Sequence, residues 1–161
     1  MGMADARFED AAETPLRLIA LGAEDLAVIS ALVQDAVGVV GDTAWMPRRR
    51  RFAMLINRFR WEDREAAERA GRTYERVRAV LALDGVLSAR ADGIDPHQRD
   101  TVFSVLSLDF EPDAEPPGGT LRIRLAGDGE IVLSVECLEV SLTDVTRPHR
   151  ALAGRAPDHG A

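Results

Sequence analysis

The spacing of apolar residues along the chain predicts one helix followed by a series of strands. Residues 16–22, LRLIALG, form a short apolar run that is typical of a strand. After them Leu26, Ile29 and Val33 recur at the spacing of one helical face. From residue 37 onward apolar and polar residues mostly alternate, and this alternation indicates strands that bury one face.

Turn residues divide the alternating region into hairpins. Pro47 fixes φ and removes a hydrogen-bond donor between two alternating stretches, which predicts a first hairpin. Asp84 followed by Gly85 is a strong two-residue turn signal and predicts a second hairpin. Residues 111–119 hold three prolines and two glycines and predict an exposed loop, whereas residues 127–129 predict the turn of a third hairpin.

The strand after this last turn changes its alternation part-way. In residues 130–142 one parity is shared by Ile131, Leu133, Val135 and Cys137, and the other parity is shared by Leu138, Val140 and Leu142. A β-bulge near Cys137 would return both sets to one face of the sheet. We therefore predict one long, bulged final strand, and such a strand invites pairing with a second copy of the chain or with a partner.

These elements predict an α+β fold in which one amphipathic helix packs on a large, mostly antiparallel bent sheet or partial barrel. Residues 62–72 are compatible with a short helical turn or with a loop. A chain of 161 residues fits one domain. We predict a single domain over residues 15–146, between a loose acidic N-terminal tail at residues 1–14 and a loose C-terminal tail at residues 147–161.

The composition, 46% hydrophobic and 29% charged residues, is that of a folded, water-soluble protein. No apolar run approaches the roughly 20 residues that cross a bilayer, and the N-terminal segment is acidic where a signal peptide is basic and then apolar. Cys137 is the only cysteine, so no intrachain disulfide can form, and its neighbours indicate a buried, unreactive thiol. We therefore expect a cytoplasmic protein that does not associate with membranes.

The stretch AWMPRRRRFAMLINRFRW, residues 44–61, is the strongest candidate for a binding site. Guanidinium groups suit phosphate, and tryptophan can stack on bases. Two arginines near the end of this stretch share the parity of its apolar residues, so a phosphate or a carboxylate could sit beside them. The candidate binding residues are Trp45, Arg48, Arg49, Arg50, Arg51, Arg58, Arg60 and Trp61.

The charge of the whole chain disfavours nucleic acid as the ligand of this stretch. The formal net charge is −7, which repels a polyanion at long range. Acidic residues also lie just after the arginines in the sequence, so we favour arginines that are solvated or paired within the protein. Trp45 and Trp61 fit core or interface positions better than stacking platforms.

No sequence motif predicts catalysis, a cofactor or a metal. The chain lacks the G-x-S-x-G, H-E-x-x-H, P-loop and G-x-G-x-x-G patterns. Asp92, Asp95 and His97 could offer metal ligands, but the same residue types are typical of a turn and further ligands are missing. We therefore predict no catalytic residue, no cofactor and no metal site.

A family resemblance rests on three stretches, LRLIALGAEDLAVISALVQDAVGVVGDTAW, RRFAMLINRFRWE and GEIVLSVECLEVSLTDV. Together they resemble a bacterial, chiefly alphaproteobacterial, family known only as a domain of unknown function, DUF family 2948. The resemblance covers residues 15–147. The family has no assigned activity, so the resemblance implies no catalytic residue.

Three classes of function remain open from the sequence. The first, which we favour, is a non-enzymatic protein-interaction module that binds an unknown protein partner or a second copy of itself. The second is a nucleic-acid or phosphate binder that uses the hairpin at residues 48–60. The third is a small-molecule enzyme with a pocket that no motif marks. A large apolar surface patch favours the first, salt-sensitive RNA retention the second, and a pocket with perturbed titratable groups the third.

Overall fold

The computed structural model describes residues 15–71, 75–145 and 149–150. The predicted N-terminal tail, residues 1–14, and most of the predicted C-terminal tail lie outside the described residues. Within the C-terminal tail, His149 and Arg150 form a two-residue strand that pairs with Arg76 and Glu75.

The described residues form ten strands and two short helices. The strands are β1 (Arg17–Ala20), β2 (Val37–Met46), β3 (Arg51–Phe59), β4 (Glu75–Asp84), β5 (Val86–Asp92), β6 (Val102–Pro112), β7 (Gly119–Leu125), β8 (Glu130–Val135), β9 (Val140–Asp144) and β10 (His149–Arg150). The helices are α1 (Ala23–Leu32) and α2 (Arg64–Ala70), and short 3₁₀ turns cover Pro47–Arg49 and Trp61–Asp63. The α2 helix lies in the segment that the sequence leaves open between helix and loop.

The strands join into one sheet in the order β1-β9-β4-β3-β2-β6-β7-β8-β5, and β10 pairs with β4 beside this path. Every pairing among the described strands is antiparallel. The large antiparallel sheet of the predicted α+β fold is therefore confirmed. The described strands do not close into a barrel, because β1 and β5 stand at opposite ends of the order, and α2 adds a second helix to the one predicted.

One hydrophobic core contains residues from α1 and from both halves of the sheet, which are β1-β9-β4-β3-β2 and β6-β7-β8-β5. Its members include Met54 and Leu81 from the half that contains β3 and β4, and Ile123 and Leu133 from the half that contains β7 and β8. Helix α1 contributes Leu26 and Ile29 to the same core, as their spacing predicts, together with Leu32, while Val28 on another side of this helix is 52% exposed. Burial of these aliphatic side chains is the main force that holds the halves together.

The predicted hairpin at Asp84 and Gly85 is wrong. Strand β4 pairs with β3 on one side and β9 on the other, so β5 has no free edge of β4 to join and pairs with β8 instead. Gly85 adopts φ +71° and carries the chain from one half of the sheet to the other. An Asp-Gly dipeptide favours a turn, but the available strand edges decide which strands pair.

The predicted long strand over residues 130–142 is also wrong. Strand β8 ends at Val135 and β9 begins at Val140, and the chain crosses between the two halves of the sheet over residues 136–139. The change of parity therefore marks a crossing and not a β-bulge. Both strands lie inside the sheet, so this region offers no exposed edge for a partner.

The two crossings lie side by side. The Glu136 amide donates a hydrogen bond to the Gly85 carbonyl at 2.8 Å, and the Asp84 amide donates to the Glu139 carbonyl at 3.0 Å. We name residues 84–86 and 136–139 the corner. The predicted hairpins β2–β3 and β7–β8 are confirmed. We name residues 47–51 the tip of the β2–β3 hairpin, and the corner lies close to this tip.

Candidate functional site

The predicted binding residues divide between the two ends of strand β3. Arg51 begins this strand and Arg58 lies seven residues later, which separates them by roughly 23 Å at about 3.3 Å per residue. Trp45 and residues 48–51 belong to the first end, whereas Arg60 and Trp61 follow Arg58 at the second end. The structure therefore does not bring the eight predicted residues together into one site.

At the second end of β3, Arg58 is fully buried and pairs with two carboxylates of its own chain. Its Nε and Nη2 donate to the Asp144 carboxylate, each at 3.0 Å. Its Nη1 and Nη2 donate to the Glu62 carboxylate at 3.0 and 2.9 Å, and Nη1 also reaches the Phe59 carbonyl. Internal carboxylates thus occupy the place where the sequence allows a phosphate or carboxylate ligand.

Both pKa shifts in this network favour the charged forms. Burial by itself lowers the pKa of Arg58, but the hydrogen bonds to Glu62 and Asp144 outweigh it and leave that pKa raised. Burial by itself raises the pKa of Glu62, but the hydrogen bond and the charge of Arg58 outweigh it and leave that pKa lowered. Arg58 and Glu62 are therefore both held in their charged forms, and the hydrogen bonds of Arg58 join β3, β9 and the turn at Trp61–Asp63.

Arg60 and Trp61 are also engaged within the protein. The Arg60 guanidinium is 5% exposed and forms salt bridges with Glu75 and, at 3.6 Å, with Asp63. The Trp61 indole Nε1 donates a hydrogen bond to the Gln34 carbonyl at 3.0 Å. The structure places these residues in contacts that fasten the chain after β3, and their predicted role in ligand binding stays a prediction.

At the first end of β3, two of the four consecutive arginines fasten the hairpin tip to the corner. Arg50 Nη1 donates to Glu136 at 2.7 Å, and Arg51 donates through Nε and Nη2 to the Asp84 carboxylate at 2.8 and 3.3 Å. The hydrogen bond to Asp84 raises the pKa of Arg51. The Val86 amide also donates to the Arg50 carbonyl at 2.9 Å, so β5 begins against this tip.

The other two arginines of the tip, Arg48 and Arg49, are exposed. They lie in the 3₁₀ turn that starts at Pro47, and the following Arg50 closes this turn with φ +52°. Within the part of the chain that the structure describes, neither side chain has a salt bridge. These two guanidinium groups are therefore available to a ligand.

An apolar cleft of about 200 Å³ begins beside this tip. Side chains from β2, β3, β5, β6, β8 and the loop after β5 line it, and the only charged one among them, Arg90, is paired with Asp92 at 2.6 Å. Trp45 lines the cleft from β2, where it lies opposite Phe52 of β3. The side chains that shape the cleft include Trp45, Phe52, Ala89, Ala91, Phe103 and Ile131.

The sequence predicts Trp45 as a binding residue but misses the rest of the cleft. The alternation of β5 does place Ala89 and Ala91 on one face, yet nothing in the sequence indicates that this face lies near β2. The strand order that brings them together depends on the corner, where the predicted pairing is wrong.

The remaining candidates show no further site. Cys137 is half-buried and lies in the corner, which corrects the prediction of a buried thiol within a strand. The Asp95 carboxylate accepts a hydrogen bond from the His97 amide at 2.9 Å, as expected of a turn. Among the described residues no three His, Cys, Asp or Glu side chains converge as metal ligands. None of the helices in this part of the chain has the length and apolarity to cross a membrane.

Comparison with models of known protein families identifies the family of the chain. The family model described as protein of unknown function (DUF2948) matches residues 16–159. The chain belongs to this family. The match includes the cleft, the hairpin tip and the corner, and it starts after the acidic N-terminal segment. No curated protein and no solved structure matches the chain significantly.

Proposed function

We propose that this member of the family is a protein-interaction module whose cleft receives one bulky apolar side chain of a partner protein. The observation that carries the proposal is the cleft itself, about 200 Å³ in volume and lined almost entirely by aliphatic and aromatic side chains. Buried aromatic and aliphatic anchors in such pockets supply much of the affinity of protein–protein interfaces. We place the module in the cytoplasm, because one cysteine leaves the chain without intrachain disulfides.

The volume of the cleft favours a side chain over a metabolite. Small-molecule sites usually occupy about 300–1,000 Å³ and contain a few convergent polar groups that orient the ligand. A dry apolar cavity of about 150 Å³ accepts benzene. A cleft of about 200 Å³ therefore fits one ring or one branched aliphatic group. Its single charged lining residue, Arg90, is already paired with Asp92.

The construction of the cleft also supports an anchor site. Two of its lining residues, Phe52 and Phe103, are each only 6% exposed and belong to the core of the protein. The site is thus formed before a ligand arrives, so little side-chain entropy is lost when an apolar group enters.

Peptide selection tests the proposal. Random peptides displayed on phage are selected against the protein, and the selected peptides are synthesised. We expect them to share an aromatic or branched aliphatic residue. The protein has two tryptophans, so two indole N–H signals report binding in ¹H–¹⁵N NMR spectra. The Trp45 signal should shift on titration, while the signal of Trp61, at the other end of β3, should not.

A pair of matched variants decides whether the cleft is the binding site. Ala91→Phe fills the cleft, whereas Ala44→Phe adds the same side chain at an exposed position of β2 next to Trp45. We expect the first variant to lose the selected peptides and the second to retain them. Failure to select any peptide, or equal binding by both variants, would refute the proposal.

Self-association is a second candidate function, and one observation favours it. Strand β1 forms an end of the sheet, with Ile19 55% exposed and Leu21 just after the strand 67% exposed. An edge strand with exposed apolar residues can pair with a second copy. Light scattering tests this directly: a dimer that Ile19→Lys converts to a monomer supports the candidate, and a monomeric wild-type protein excludes it.

A further inference from the structure

We infer that the partner segment is acidic, with its apolar anchor in the cleft and one or two carboxylates bound by Arg48 and Arg49. This inference rests on the proposed function and adds the chemistry of the partner to it. The observation behind it is the juxtaposition of an apolar cleft with two exposed guanidinium groups that have no salt bridge among the described residues.

The geometry sets the spacing, along the partner segment, between the apolar anchor and the carboxylates that reach Arg48 and Arg49. Trp45 lines the cleft, and Arg48 follows it by three residues, so their Cα atoms lie at most about 11 Å apart. An extended peptide covers this distance in about three residues at roughly 3.3 Å each. The carboxylates that reach the arginines should therefore lie about three or four positions from the anchor.

The charges around the tip favour carboxylates over nucleic acid. Among the described residues, Glu136 pairs with Arg50, Asp84 pairs with Arg51, and the charge of Glu139 also acts on Arg51. Set against the four guanidinium groups at residues 48–51, these three carboxylates leave an excess of one positive charge. One excess charge on a protein of net charge −7 is a weak attraction for a phosphate backbone, which binds through many neutralised contacts. A short acidic segment needs only one or two contacts, and forked guanidinium groups hold carboxylates well.

Four synthetic probes test the inference. The first is an acetylated, amidated peptide with one phenylalanine, two glycines and then two aspartates, and the second replaces the aspartates with asparagines. The third is a peptide with the aspartates but with alanine in place of phenylalanine, and the fourth is a single-stranded RNA oligonucleotide. Affinity is measured from the Trp45 indole signal and by isothermal titration calorimetry at two salt concentrations.

The expected result is a preference for the acidic peptide over the neutral one of about fivefold at low salt, which is the effect of one or two exposed ion pairs. High salt should reduce the preference. The double variant Arg48→Ser/Arg49→Ser should abolish it while still binding the neutral peptide. The matched control Arg17→Ser/Arg69→Ser removes the same charge at two exposed positions away from the cleft and should keep the preference.

The other outcomes separate this inference from the proposed function. Equal binding of acidic and neutral peptides, both lost in Ala91→Phe, would refute the acidic partner and leave the interaction module standing. If the wild-type protein binds neither phenylalanine peptide, or if Ala91→Phe binds the acidic and the neutral peptide alike, the interaction module and the acidic partner are both refuted. RNA bound with a steep salt dependence and lost in Arg48→Ser/Arg49→Ser, with no preference between the peptides, would replace the acidic partner with a nucleic acid.

Discussion

Removal of the Asp144 carboxylate should be among the most destabilising single changes in this protein. Its side chain is 2% exposed and accepts hydrogen bonds from Arg58 Nε and Nη2 and from the Leu16 amide. In the variant Asp144→Ala the buried Arg58 guanidinium keeps Glu62 as its one carboxylate partner among the described residues. Breaking a buried ion pair from one side costs about 3–5 kcal/mol, and because Glu62 remains, we expect about 3 kcal/mol.

Urea denaturation followed by circular dichroism measures this free energy of unfolding. The control is Glu62→Ala, which removes the other carboxylate of the same network. The Glu62 side chain is 33% exposed, so water can replace part of what is lost, and we expect a cost of about 1 kcal/mol. A cost below 1 kcal/mol for Asp144→Ala, or a larger cost for Glu62→Ala, would show that Arg58 does not depend on its buried partner.

The same network predicts how stability depends on pH. The pKa of Glu62 is lowered in the folded protein from its ordinary value of 4.5. A carboxyl group with a lowered folded pKa stabilises the protein above its unfolded pKa, and this contribution is lost as the pH falls through the folded pKa. The stability difference between the wild type and Glu62→Gln should therefore be full at neutral pH and shrink below about pH 4.5. A difference that stays constant down to pH 2 would contradict this assignment.

Two further predictions concern the core and the corner. Ile29→Asp should cost about 4 kcal/mol or more, because Ile29 is 1% exposed and the new carboxylate has no partner, while Val28→Asp at a 52% exposed position should cost less than about 0.5 kcal/mol. Thermal unfolding of both variants compares them. Gly85→Ala should cost about 1 kcal/mol, because φ +71° is unfavourable for a residue with a Cβ. An unchanged melting temperature for Gly85→Ala would show that the corner adapts its backbone.

Local sequence signals predict those parts of the fold that depend on neighbours in the chain. Pro47 and residues 127–129 lie between strands that follow one another in sequence, and both hairpins form. The burial of Ile29 likewise follows from helical spacing. Strand order depends on long-range competition for edges, so Asp84 and Gly85 correctly indicate a break between two strands and wrongly indicate that these strands pair.

The predicted binding residues show the same difference between local sequence signals and long-range contacts. Arg58 shares the parity of Phe52, Met54 and Ile56, and the structure places it on their buried face. Its partner Glu62 lies four residues away, but Asp144 lies 86 residues away and belongs to a strand that the sequence analysis misassigned. The cleft depends on five strands and their order, so no single stretch of sequence contains a signal for it.

The hairpin tip provides a prediction that separates structural arginines from arginines available to a ligand. Arg50→Ser/Arg51→Ser removes two partly exposed ion pairs to the corner, which should cost about 1 kcal/mol and lower the melting temperature by about 2–4 °C. Arg48→Ser/Arg49→Ser removes no salt bridge within the described residues and should leave the melting temperature unchanged. Each variant removes two positive charges from a protein of net charge −7, so general charge repulsion is the same in both and cancels in the comparison. Equal melting temperatures would mean that the bonds of Arg50 and Arg51 contribute nothing to stability, and all four arginines would then be candidates for the ligand.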